Sequence, residues 1–182
     1  TYVMGGAIAR KLLKVTLGVE TNAYTCKIGK IQMKNQATRQ SLKSIYTNEV
    51  RCPEKAIAGR MKKSILDARK KGDSLGGVIE SITNNIPVGL GEPIFSSLES
   101  ELSKAIYSIP AVKGVEFGSG FSGSAKFGSQ NNDSYTSHRG KVVTKTNNAG
   151  GILGVISNGI PIIIRVACKP ASSTGRIQDP VD

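Results

Sequence analysis

The sequence predicts an α+β fold. Two stretches repeat apolar residues at helical spacing, from Pro53 to about Lys71 and from Pro93 to about Ser108. Short runs rich in β-branched residues lie between and after them, and the last two read as an antiparallel hairpin. Helices and strands interleave without a regular βαβ rhythm, which points to antiparallel sheets with helices packed on them.

In chain order, residues 6–17 read as a helix, with Ile8, Leu12 and Leu13 on one side and Arg10, Lys11 and Lys14 on the other. Gly18 is placed to end it. Residues 19–33 alternate loosely and predict one or two strands, with a bulge or tight bend at Gly29. A short helix is expected over 36–48. Pro53 suits the first position of the next helix, because that N–H has no partner there anyway. Its apolar stripe is Ala56, Ile57, Met61, Ile65, Leu66 and Ala68, and Arg69, Lys70 and Lys71 meet the negative end of the helix dipole. Gly72 is a suitable residue just past the end. Residues 76–86 read as a strand. The helix opened by Pro93 carries Phe95, Leu98, Leu102 and Ile106 on one face and stops before Pro110. Residues 112–118 form a short strand, 118–140 an exposed Gly/Ser/Asn-rich loop, and 141–146 a strand. GGILGVIS and IPIIIRVACK are expected to pair across Ser157-Asn158-Gly159. No internal repeat is visible.

At 182 residues the chain suits one domain over 1–182, with enough length to bury a sizeable core. The longest apolar stretch, Ile160 to Cys168, is strand-length and contains Arg165, far short of the roughly 20 residues that cross a bilayer. No secretory signal pattern is visible at the start. Three cysteines, Cys26, Cys52 and Cys168, without CxxC spacing argue against a disulfide framework and a zinc site, and suggest reduced thiols in a cytosolic protein. A single histidine, His138, leaves little room for a histidine-based metal site, and no metal is expected. The net charge is +12, and the excess lies in residues 1–71, which hold 16 Lys/Arg against 4 Asp/Glu, while residues 72–182 hold nine of each. Such a field attracts phosphorylated small molecules, nucleic acid or acidic membranes, or forms a solvated face. A basic nucleic-acid-binding module is the alternative function class. Against it, aromatic residues make up 5% of the chain and no stacking motif or recognition helix is present.

Three glycine-containing segments carry the chemistry. In NNAGGILG, Asn147 to Gly154, paired glycines admit a ligand or another strand, and the asparagines offer amide donors and acceptors; a plain turn between strands fits equally. In KPASS, Lys169 to Ser173, an apolar strand ends in a cation, a proline and two hydroxyls, either a phosphate-anchoring corner or a polar loop. GDSLGG, Gly72 to Gly77, reads as a tight helix-to-strand connection with an Asx or ST turn at Asp73-Ser74.

Taken together, RCPEKA, GDSLGG, PVGLGEPIF, SIPAVKGVEFGSGF, FGSQNND, NNAGGILGVISNG and RVACKPASS resemble successive landmarks of the chorismate synthase family, in that family's order, over most of residues 50–173. The resemblance implies a βαβ sandwich of antiparallel sheets and helices, assembled as a cytoplasmic homotetramer that engages neither nucleic acid nor membrane. It implies a lyase that converts 5-enolpyruvylshikimate 3-phosphate to chorismate and phosphate by anti-1,4-elimination. The cofactor implied is reduced FMN, with NADPH where flavin reduction is built in. An inactive structural homologue is a further alternative. Carried over by position, the flavin contacts are Ala111, Gly154, Lys169, Pro170, Ala171, Ser172, Ser173 and Arg176, and Asp179, in TGRIQDPVD, is the catalytic candidate. The family often has asparagine where Pro110 stands and threonine where Ala171 stands. Its GESHG and RSSARET segments, and with them both catalytic histidines, have no counterpart in the sequence; His138 matches neither. The joins at Val3-Met4 and at Ser173-Thr174 suggest that loops of a longer protein are left out there.

Overall fold

The computed structural model describes residues 1–138 and 140–176. The elements in chain order are α1 (Tyr2–Leu17), β1 (Glu20–Ile28), β2 (Ile31–Gln32), α2 (Lys55–Lys70), β3 (Gly77–Asn84), α3 (Leu98–Tyr107), β4 (Val112–Phe117), α4 (Gly128–Asn131), β5 (Tyr135–His138), β6 (Lys141–Thr144), β7 (Ile152–Leu153), β8 (Ile156–Ser157) and β9 (Ile162–Cys168). Short 3₁₀ turns lie at Ser41–Thr47, Ile94–Ser96 and Gly120–Ala125. This mixture of helices with sheets is α+β, as the sequence predicts. One sheet has five strands in the order β2-β1-β3-β9-β4; β5 with β6, and β7 with β8, form separate two-stranded pairs.

The residues group into two compact units. The first comprises Thr1–Ala23, Ser81–Ser108 and Val115–Arg165; the second comprises Tyr24–Glu80, Ile109–Gly114 and the described residues from Val166 on.

In the first unit, α1 starts four residues earlier than its apolar pattern suggests and ends at Gly18, which takes the left-handed conformation at φ 70°. No α1 residue is buried, and Ile8, Leu12 and Leu13 lie exposed. Val19, Ile82, Ile152, Ile162, Ile163 and Ile164 form the buried apolar set. The helix expected from Pro93 is divided. Ser97 caps α3 by accepting the amide of Ser100, and Phe95, in the preceding 3₁₀ turn, is exposed rather than on the helix face. The stretch 118–140 is not one loop: it holds the 3₁₀ turn, α4 and β5, and β5 pairs antiparallel with β6 in register Tyr135↔Thr144 to His138↔Lys141.

The expected closing hairpin is also different. β8 does not pair with β9. Instead β7 and β8 pair with each other, Ile152↔Ser157 and Leu153↔Ile156, around Gly154 and Val155. Both turn residues have positive φ, 60° and 71°, as a type I′ turn demands, and that turn matches the twist of adjoining strands. β9 goes instead to the five-stranded sheet, between β3 and β4. There Arg165 explains its place in an apolar run: its Nε donates to Glu116 and its Nη2 to the Gly118 carbonyl.

In the second unit, Gly29 has φ 54° in the turn between β1 and β2. Pro53 stands one residue before the α2 N-cap, Glu54, rather than inside the helix. Ala58 and Met61 are the buried residues of α2, while Ile65 and Leu66 stay partly exposed. Lys71 caps the helix and Gly72 follows at φ 67°. Tyr24, Cys26, Met33, Ile45, Cys52, Ala58, Met61 and Val112 form the unit's buried apolar set. Tyr24 is 2% exposed; its hydroxyl donates to buried Glu80 and accepts the Ala37 amide at 3.0 Å. Burial first, and the bond to Glu80 second, push its pKa well above the ordinary tyrosine range.

That bridge is testable. Tyr24→Phe removes a donor from Glu80 and the acceptor from the Ala37 amide, and is expected to cost about 1–3 kcal/mol in urea denaturation. An unchanged midpoint would show that the hydroxyl is not needed.

Candidate functional site

The KPASS segment leaves β9 in the second unit as an exposed corner, Lys169 to Ser173. Its first residue is tied down by the backbone: the Lys169 amide donates to the Ala111 carbonyl at 2.9 Å. Ala111 holds φ 72°, a left-handed conformation that costs a non-glycine residue about 1 kcal/mol or more. Two residues assigned to the flavin by position, Ala111 and Lys169, are therefore neighbours.

The GDSLGG segment fastens the other side of the corner. The Ser74 hydroxyl donates to the Ala171 carbonyl at 2.7 Å, and the Gly175 amide donates to the Gly72 carbonyl at 2.9 Å. Arg176 reaches Asp73 at 3.3 Å, and the Ser74 amide donates to the other Asp73 oxygen at 2.8 Å. The Ser74 amide bond, then the Arg176 contact, hold the Asp73 carboxyl below the ordinary range. Gly76 lies so close that a β-carbon there would stand 2.6 Å from the Cys168 carbonyl oxygen and 3.0 Å from the Pro170 ring. A cleft of about 400 Å³ is lined by the same strap, with Arg69, Asp73, Ser74 and Cys168 among its residues.

The side chains that remain available can all donate. Among the described residues, the Lys169 ammonium and the Ser172 and Ser173 hydroxyls make no hydrogen bond or ion pair, and all three residues are exposed. The Ala171 carbonyl, an acceptor that would repel an anion, is occupied by Ser74. A cation and two hydroxyls on one short turn fit a phosphoryl group. Arg176 is committed to Asp73 in part, although both side chains are open to solvent. Asp179 lies outside the described residues.

Gly154 belongs to the first unit. No atom lies within 4 Å of where its β-carbon would be, so its face is open, and its φ of 60° suits glycine. The turn it shares with Val155 is docked on the PVGLGEPIF segment. Ser157, fully buried, exchanges backbone bonds with Gly89 and Leu90, and its hydroxyl accepts the Leu90 amide and donates to the Pro87 carbonyl. Leu98 donates to the Val155 carbonyl at 3.1 Å.

Asn147 and Asn148 serve the fold rather than a ligand. Asn147 donates to Pro161 and accepts the Gly151 amide; the Asn148 side chain accepts from Lys126. A β-carbon on Gly150 would stand 2.3 Å from the Gly118 nitrogen, so this glycine pair admits another backbone segment. Asp133, which sequence reasoning did not single out, gathers the loop by accepting from the Thr146 hydroxyl and the Asn148 and Ala149 amides.

A family model described as chorismate synthase matches residues 1–182. The chain belongs to the chorismate synthase family. A chorismate synthase of Dehalococcoides mccartyi is 49% identical over 181 residues, covering 100% of this chain and 50% of its own length. A chloroplastic chorismate synthase of Capnoides sempervirens is 46% identical, covering 98% and 41%, and that of Methanosarcina barkeri 42% identical, covering 99% and 49%. A crystal structure of a chorismate synthase superposes with a TM-score of 0.83 at 34% identity, covering 91% of this chain and 53% of that one. The chain thus spans about half the length of the chorismate synthases it matches. The Dehalococcoides alignment takes in the whole chain within 181 residues, so that chorismate synthase has no long insert at Val3-Met4 or Ser173-Thr174, where left-out loops were expected. Among the described residues no cluster of His, Cys, Asp and Glu could hold a metal, and no helix is long and apolar enough to cross a membrane.

The role of Asp133 gives a prediction. Partial burial raises its pKa, but the bonds from Thr146, Ala149 and Asn148 outweigh this and hold it below the usual aspartate value. A carboxyl depressed by folding contributes stability above its unfolded pKa of about 3.9, and that contribution is lost as pH falls through the folded value. Asp133→Asn should cost about 1–3 kcal/mol at neutral pH. Urea denaturation should show the gap from wild type narrowing as pH drops below about 4; a gap independent of pH would contradict this.

Proposed function

We propose that this chain is the phosphate-holding portion of a lyase that converts 5-enolpyruvylshikimate 3-phosphate to chorismate and phosphate by anti-1,4-elimination with reduced FMN. Membership of the chorismate synthase family supports the reaction. The observation that carries the chain's own role is the exposed corner: among the described residues the Lys169 ammonium and the Ser172 and Ser173 hydroxyls make no bond, while the Ala171 carbonyl is engaged by Ser74.

When bound, reduced FMN supplies electron density transiently as phosphate leaves, with no net redox change. The chain's residues bind and orient. Lys169 sets a fixed positive charge at the FMN phosphate, and Ser172 and Ser173 donate to its oxygens. Ala111, in its left-handed turn, fixes where Lys169 begins. Gly154 offers an unobstructed backbone face to the flavin. Pro170 and Ala171 contribute shape, since neither brings a polar side chain. Arg176 adds charge at the corner's far end, shared with Asp73. The catalytic part assigned to Asp179 belongs to the same proposal, as do the cytoplasmic homotetramer and the use of NADPH. The positive first third attracts a phosphorylated substrate at long range.

The full-length protein containing this chain should perturb the spectrum of reduced FMN when 5-enolpyruvylshikimate 3-phosphate is added anaerobically, and should release chorismate. Lys169→Met should weaken FMN binding about tenfold or more, the loss of a charge-assisted contact. Active wild type with an unimpaired Lys169→Met variant would remove the corner from the site.

A further inference from the structure

GDSLGG reads in the sequence as a connection between helix and strand, and the proposed reaction leaves it without a role. It is attached to the KPASS corner at four successive places. Gly76 packs against Cys168 and Pro170, the Ser74 hydroxyl holds the Ala171 carbonyl, the Gly72 carbonyl holds Gly175, and Asp73 holds Arg176. Ser172 and Ser173 lie between these attachments and make no bond among the described residues.

We infer that Ser74 is a positioning residue for the phosphoryl group bound by Lys169, Ser172 and Ser173, an inference that rests on the phosphate-holding role proposed above. Its hydroxyl acts in two ways. It fixes the turn at Ala171, so the two serines are presented without first being ordered by the ligand, and an ordering cost that binding would otherwise carry is avoided. It also engages the Ala171 carbonyl, so that this acceptor is turned toward Ser74 rather than left free to meet an arriving dianion. Ser74 does not touch the ligand in this account. Asp73 and Arg176 brace the same strap through an exposed, screened pair.

The experiment compares two ligands that differ by the phosphoryl group, FMN and riboflavin, by fluorescence titration of the full-length protein containing this chain. Ser74→Ala should lose about threefold to tenfold in FMN affinity, the worth of one hydrogen bond, with riboflavin affinity unchanged. Ser74→Thr, which keeps the hydroxyl, should restore FMN binding. Should Ser74→Ala lose its native circular dichroism, Ser74→Cys, a weaker donor of similar shape, takes its place in the same comparison. Equal losses for FMN and riboflavin, or no loss for either, overturn the inference. A wild-type protein that fails to bind FMN overturns the proposed function itself, whereas wild type that binds FMN beside an unimpaired Ser74→Ala overturns the role of Ser74 alone.

Discussion

Two backbone segments meet at Gly76 with no side chain between them. A β-carbon there would stand 2.6 Å from the Cys168 carbonyl oxygen, so the approach is open to glycine alone without backbone movement. The rest of the corner follows from that contact. It brings the start of β3 against the end of β9, which puts the Ser74 hydroxyl within reach of Ala171 and Asp73 within reach of Arg176. Pro170 stops the strand, and the residues after it leave as an exposed turn that carries the two serine hydroxyls. The same device recurs in the first unit, where Gly118 and Gly150 let two backbone segments approach and Asp133 gathers the amides that follow.

Much of this was legible in the residues. The apolar stripe of α2, the stops at Gly18 and Gly72, and the turn at Gly29 are local signals, and each element appears within a few residues of its expected place. The corner at Lys169 could be read because a cation, a proline and two serines after an apolar run is itself a local pattern. Features set by distant pairing could not be read in this way. Ser157-Asn158-Gly159 has the composition of a hairpin turn, yet the chain turns at Gly154-Val155, and a valine at φ 71° is a place no propensity would choose. β9 finds its neighbours in β3 and β4, far away in sequence. Ala111 gives no hint of its left-handed backbone, and Ser74 gives none of its partner nearly a hundred residues on. The asparagines at 147 and 148 suit a ligand as well as a turn by composition; their side chains bond within the fold, Asn147 to Pro161 and Gly151 and Asn148 to Lys126 and Thr146.

The charge distribution makes sense at two ranges. The excess of cations in residues 1–71 lies largely on exposed faces of α1 and α2, where pairs such as Lys14–Glu20 and Lys62–Glu49 contribute about 0–1 kcal/mol each. Their collective effect is a field that favours the approach of anions. Lys169 acts at contact range, in a part of the chain whose nine cations, itself included, balance nine acids, so discrimination at the corner rests on placement rather than on net charge.

The central claim is that Lys169, Ser172 and Ser173 receive a phosphoryl group. A crystal structure of the full-length protein with FMN tests it most directly. The account predicts phosphate density within hydrogen-bonding distance of the Lys169 ammonium and the two serine hydroxyls, with the Ser74–Ala171 bond intact. Well-ordered flavin whose phosphate lies away from all three side chains would contradict it.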